Sequence, residues 1–186
     1  MLMADILNIF DTALNKVLAD YAHHRFILER DFVWTLQKRL LGTLDAEHGQ
    51  YTVFNDYPIE RGKLNRGISA DLVIIEKTVT RECVLSGAAQ VELAAEFKFE
   101  PSPKRTDICG FKLPVVFWPS VVRDVERVRK FTEDNKARIG IAIFIDEHGR
   151  YRNEKRYSIG CHSEWRHLGN FNTDYLDVQM LYTVSK

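Results

Sequence analysis

Apolar residues recur at three- and four-residue intervals over the first part of the chain, at Leu2, Ile6, Ile9, Phe10, Ala13, Leu14, Val17, Leu18 and Tyr21. This spacing predicts one amphipathic helix. A second periodic run, "RFILERDFVWTLQKRLLG", predicts a helix that closes on Gly42, with Lys38 and Arg39 in its last turn, where cations favour the carbonyl end. The period then changes to two. "YTVFNDY" reads as a short strand stopped by Pro58, and "ADLVIIE" as a strand so continuously apolar that it belongs inside a sheet. In "VELAAEFKFE" the odd positions Val91, Leu93, Ala95, Phe97 and Phe99 are all apolar, the pattern of a strand packed on a core.

Two polar stretches, "IERGKLNRGIS" and the proline-punctuated "PSPKRTDICGFKLP", read as loops. "SVVRDVERVRKFTED" predicts a helix capped by Ser120, with Val121, Val122, Val125 and Val128 along its buried edge. "RIGIAIFIDEHGR" predicts a strand from Ile139 to Ile145. Beyond it, "YRNEKRYSIG" reads as a returning edge strand and "YLDVQMLYTVSK" as a last strand or helix. The order helix, helix, three strands, helix, strand and tail places the chain in the α/β or α+β class, with one central mixed sheet flanked by helices.

The 186 residues suffice for one core and are too few for two ordinary ones, so a single domain over 1–186 is expected. Hydrophobic residues make up 45% and charged residues 28%, an ordinary globular composition. No apolar run approaches the roughly 18 residues of a membrane span, and Asp5 interrupts any leader-like segment. Cys83, Cys109 and Cys161 are an odd number without C-x-x-C spacing. A cytoplasmic protein with reduced thiols and no membrane partner is therefore expected. Zero net charge weighs against non-specific coating of nucleic acid. Residues 1–60 hold nine acids and five bases, or −4, leaving +4 for the rest, where an anionic partner is expected to bind.

Glu96 and Lys98 lie two apart within the third strand and so share one face. Asp71 stands at the head of "DLVII", and Glu29 lies in the helix before the sheet. Charges inside apolar segments are costly unless they face one another, face water or hold a metal. Converging carboxylates repel, and a hard divalent cation such as Mg²⁺ or Mn²⁺ removes that repulsion.

The pattern "ERDF", "SADLVII" and "AEFKF" resembles the PD-(D/E)xK nuclease superfamily, whose signature is an aspartate opening one core strand and an acid-x-lysine in the next, with a helical glutamate upstream. Ala70 stands where the family name has proline. The family's core order fits residues 25–146, with a helix before it and an extension of about 40 residues after it. The resemblance implies a restriction-endonuclease-like fold and a Mg²⁺-dependent hydrolase of phosphodiester bonds, with Mn²⁺ as a substitute, acting on DNA rather than RNA. It implies that Asp71, Glu96 and the Phe97 carbonyl bind the cation. By the same resemblance Lys98 positions and helps to deprotonate the attacking water, and Glu29 holds a second cation or its water. Arg61, Lys63, Arg66, Lys104 and Arg105 adjoin these strands in sequence and are expected to grip flanking phosphates. Cutting both strands of a duplex would call for a homodimer.

The alternatives are a catalytically silent, nuclease-fold binding or assembly subunit of a nucleic-acid-processing system, and a plain α/β protein in which Lys98 forms a cross-strand ion pair. "CHSEWRH" offers three candidate zinc ligands, Cys161, His162 and His167, without a fourth at a recognised spacing. His23 and His24 are expected to cap the first helix or face solvent. Trp118 and Trp165 are expected to pack in the core, and Arg123, Arg127 and Lys130 to form a solvated helix face.

Overall fold

The computed structural model describes residues 3–61, 67–105, 115–152, 154, 161–169 and 178–186. Helix α1 (Met3–Ala19) is followed by a single 3-10 turn (Tyr21–His23) and by α2 (Glu29–Glu47). Strands β1 (Tyr51–Glu60) and β2 (Ile68–Glu76), helix α3 (Arg81–Ser86) and strand β3 (Val91–Glu100) come next. Helix α4 (Trp118–Glu133), β4 (Ala137–Asp146), β5 (His162–Gly169) and β6 (Val178–Ser185) complete the chain. The strands form one six-stranded sheet in the order β1-β2-β3-β4-β6-β5. Only β3 and β4 run parallel, joined through α4; the other neighbours are antiparallel. A parallel pair needs such a crossover, and here α4 supplies it. The class is the expected one, a mixed α/β sheet in a single domain.

Several boundaries differ from expectation. Helix α2 starts at Glu29, because the Asp31 carboxylate accepts the N–H groups of Ile27 and Leu28 at 2.9 and 2.8 Å and fixes the chain entry there. It also runs through Gly42 to Glu47, since Leu44 continues the buried stripe of Phe32, Leu36 and Leu40 while Gly42 faces open space. Helix α4 begins at Trp118, two residues before the expected cap. Pro119 suits a first turn that needs no N–H donor. Ser120 instead donates both its N–H and its hydroxyl to the Phe117 carbonyl, at 2.8 and 2.7 Å.

The tail belongs to the sheet. β6 lies between β4 and β5, so the ambiguous "YLDVQMLYTVSK" is a strand in its described part. The returning edge strand is β5, "HSEWRHLG"; most of "YRNEKRYSIG" lies outside the described residues. Among the described residues, no helix is long and apolar enough to cross a membrane.

Helices α1 and α2 cover one face of the sheet, packing against Leu93, Ala95, Phe97 and Phe99 of β3 and the isoleucines 139, 141, 143 and 145 of β4. Helix α4 covers the other face through Val125, Val128 and Phe131, over the small residues Ala94 and Ala142. Closest approach is at Gly140, where an added Cβ would lie 2.5 Å from the Val128 carbonyl oxygen. Gly140→Ala is expected to push α4 off β4 and destabilise the protein by about 1–3 kcal/mol, read as a lower midpoint in urea unfolding. An unchanged midpoint would mean that α4 sits further from the sheet.

Candidate functional site

The site forms at the carboxyl end of β3, beside the parallel pair, where open α/β sheets commonly place their ligands. The ladder between β2 and β3 pairs Ile74 with Leu93, Val73 with Ala94 and Leu72 with Ala95. One residue further, the Asp71 carboxylate accepts the Phe97 N–H at 2.8 Å in place of a backbone partner. This bond ties the aspartate of one strand to the backbone of the acid-x-lysine strand.

Glu96 and Lys98 both face α4. The Lys98 ammonium donates to the Phe97 carbonyl at 2.8 Å and lies 3.0 Å from Asp124 Oδ2 and 3.4 Å from Glu29 Oε2. Glu29 is the first residue of α2, which brings its carboxylate over the end of β3. Glu96 Oε2 accepts from Arg127 Nη1 at 2.7 Å, and Arg127 also lies 3.9 Å from Asp124. The four carboxylates of Glu29, Asp71, Glu96 and Asp124 thus face two cations, Lys98 and Arg127. With every group ionised, the cluster would carry 2 − 4 = −2.

Burial, more than that surplus, sets the proton affinities. Burial pushes Glu96 up to about 8, reinforced by the Asp71 carboxylate and opposed by Arg127. Burial likewise pushes Glu29 up to about 7, against the pull of Lys98. Asp71 is raised by burial too, with the Phe97 N–H and Lys98 opposing. For Lys98, burial acts downward, but the Glu29 and Asp124 carboxylates outweigh it, and its pKa is raised.

The donor set suits a hard divalent cation. Glu96 Oε1 is buried without a hydrogen-bond partner, the Asp71 carboxylate acts on Glu96 and is bonded to the Phe97 N–H, and with every group ionised the missing charge is +2. In the arrangement observed, Lys98 and Arg127 satisfy the oxygens instead. Among the described residues, no three His, Cys, Asp or Glu side chains are grouped to hold a metal by themselves. This includes the candidate zinc ligands set aside for want of a fourth: His162 and His167 are five apart in β5 and point to opposite faces.

Three of the five expected phosphate-gripping residues, Arg61, Lys104 and Arg105, fall among the described residues. Arg61 is exposed just beyond β1, at the end where Glu60 pairs with Ile68, three residues before Asp71. Lys104 is exposed. Lys63 and Arg66 lie outside the described residues. Arg105 is a correction: its guanidinium is buried, bonded to the Phe26 carbonyl and 3.4 Å from Glu147, and so is engaged inside the protein. Arg127, assigned to a solvated face, is a second correction, because it reaches back to Glu96; Arg123 and Lys130 are exposed as expected.

Asp124 was missed altogether. The signal was present, since position 124 lies three after Val121 and four before Val128 and so falls on the buried valine stripe. A carboxylate there needs a cation across the interface. Trp118 and Trp165 pack around Phe144 and Tyr151, in the core as expected. His24 stacks on Phe26 with ring centroids 4.9 Å apart. Comparison with family models, with curated proteins and with solved structures finds no match for this chain.

Proposed function

We propose that the protein is a divalent-cation-dependent nuclease of PD-(D/E)xK type, hydrolysing phosphodiester bonds in DNA in preference to RNA. One observation carries this reading. Asp71, Glu96, Lys98 and Glu29, from two strands and a helix, meet around the Phe97 peptide, with Asp71 on its N–H and Lys98 on its carbonyl. A plain salt bridge would need two charged groups; six ionisable groups are gathered here, and with all of them ionised their balance is short by two positive charges.

Asp71, Glu96 and the Phe97 carbonyl would hold Mg²⁺ or Mn²⁺, which supplies polarisation of the phosphoryl oxygen and acidification of a water. In the reaction, the water oxygen bonds to phosphorus, the ester P–O bond breaks and the leaving oxygen takes up a proton. Lys98 remains protonated at neutral pH, so its work is to orient the water and stabilise charge on the phosphoryl oxygens rather than to remove a proton. Glu29, with a pKa of about 7, is the member of the cluster suited to accept the proton of the water. Asp124 holds the Lys98 ammonium in place at 3.0 Å.

The test is incubation of the purified protein with plasmid, linear duplex and single-stranded DNA, and with RNA, over a range of Mg²⁺ and Mn²⁺ concentrations. Cleavage that requires the cation and stops with chelator is expected. Binding of nucleic acid without cleavage at any metal concentration would favour the silent-subunit alternative.

A further inference from the structure

The groove that contains Glu29 and Lys98 has apolar walls. It encloses ≈ 430 Å³ and is lined by Leu28, Arg30, Phe99, Val115 and Val116 beside Glu29 and Lys98. Among the described residues, two of the seven exposed large apolar side chains, Leu28 and Val115, line it. Ile27, next to Leu28 in the chain, and Phe117, whose carbonyl is bonded to the groove residue Ser120, are exposed beside it. Trp34 lies one turn further along α2, with the Arg30 guanidinium 5.8 Å from its ring. Phe117 is 66% exposed and Trp34 55%, yet both are held on fixed backbone, Phe117 by the two bonds from Ser120 to its carbonyl and Trp34 inside a helix. A concentration of this kind beside a charged site marks a binding surface.

The charge alongside is basic. Arg30, Trp34 and Lys38 are exposed at four-residue intervals, and a second, larger groove of ≈ 930 Å³ is lined by Trp34, Lys38, Arg39 and Lys16. Four of the five bases in residues 1–60 thus gather here, although that segment is net acidic. Of the neighbouring acids, Asp20 pairs with Arg39 at 3.2 Å and Asp31 is taken up by the N–H groups of Ile27 and Leu28.

A ligand for this surface must offer both phosphates and apolar faces. A continuous duplex hides its base faces by stacking and presents only edges and backbone, whereas each unpaired base exposes a π-face for an aromatic side chain. We infer that the substrate is single-stranded at the cleavage point. The base beside the scissile phosphate enters the groove between Leu28 and Val115, with Phe117 beside it, the strand continues over Trp34, and Arg30 and Lys38 meet its phosphates. This inference rests on the nuclease reading for the identity of the bond cut. It needs no second protomer, since one site cuts one strand.

The test compares a labelled oligonucleotide with its duplex in Mg²⁺, using Asp71→Asn for binding and the unaltered protein for cleavage. Single strand is expected to bind at least about tenfold more tightly than duplex, and Phe117→Ala and Trp34→Ala each to weaken single-strand binding about tenfold. Both side chains are exposed, so the melting temperature of either variant should not move. Equal affinity for duplex, indifference of both variants, or adsorption to anionic vesicles with no strand preference would overturn the inference. Metal-dependent duplex cleavage unaffected by Phe117→Ala removes the single-strand inference and leaves the nuclease reading standing. Single-strand preference with both aromatic effects, but without cleavage, removes the nuclease reading and leaves the binding surface.

Discussion

Lys98→Ala is expected to lower the rate of metal-dependent cleavage by roughly 10²–10³, the range for losing one preorganised group that stabilises transition-state charge. Lys98 has three partners, the Phe97 carbonyl, Asp124 and Glu29, which fix the ammonium in one position. Asp71→Asn should have an effect at least as large, because the amide loses the charge that attracts a cation while remaining able to accept the Phe97 N–H through its oxygen. The two substitutions differ in what else they do. Removing Lys98 leaves Glu29 and Asp124 unbalanced and should lower the melting temperature; Asp71→Asn removes a repelling charge from Glu96 and should not. Lys98→Arg separates charge from geometry, since a guanidinium restores the pairing but not the position of the ammonium. Its stability should recover while its rate stays low. Cleavage by Lys98→Ala or Asp71→Asn at the unaltered rate would contradict the assigned roles.

Adding Mg²⁺ should stabilise the protein, and more at pH 8 than at pH 5. Glu96 at about 8 and Glu29 at about 7 both lie above the ordinary carboxylate range, so the folded protein holds protons that unfolding releases. Without a cation, stability is therefore full at acid pH, below the unfolded carboxylate pKa near 4.3, and falls as pH rises through about 8. A cation bound to the ionised carboxylates reverses this loss; at one hundred times its Kd it adds about 2.7 kcal/mol. For a chain of this size that amounts to several degrees in Tm. At pH 5 protons compete for the same oxygens, and the gain should shrink. Glu96→Gln should flatten the pH dependence, raise stability in chelator at pH 8 and abolish the response to Mg²⁺, while Arg127, with its side chain 36% exposed, turns to water. Differential scanning calorimetry at both pH values reads all three effects. A melting temperature indifferent to Mg²⁺ at pH 8 would exclude a cation site at these residues.

Individual residues show how far local pattern reaches. The period-two alternation in "VELAAEFKFE" puts Glu96 and Lys98 on one face, and the structure has them on the α4 side while the odd positions meet α1 and α2. Asp124 was equally legible on the valine stripe, but a stripe shows only that a residue is buried, without naming its partner. Arg105 was misread because its position beside the strands in sequence said nothing of the Glu147 carboxylate, 42 residues later, that engages it. Gly42 looked like a helix end because glycine commonly follows one, yet the burial of Leu44 kept the helix going.

Local residue order specifies most of the elements and their faces: which segments coil or extend, and which charges are carried on buried surfaces. Side-chain periodicity is a local property, fixed by backbone geometry over a few residues. Which charges meet is set by the packing of distant segments. Glu29 reaches Lys98 across 69 residues, Asp124 and Arg127 close the cluster from α4, and β6 enters between β4 and β5. Those pairings depend on how helices pack on the sheet and on which edges remain open to later strands. Such long-range energies leave no periodic trace in the chain.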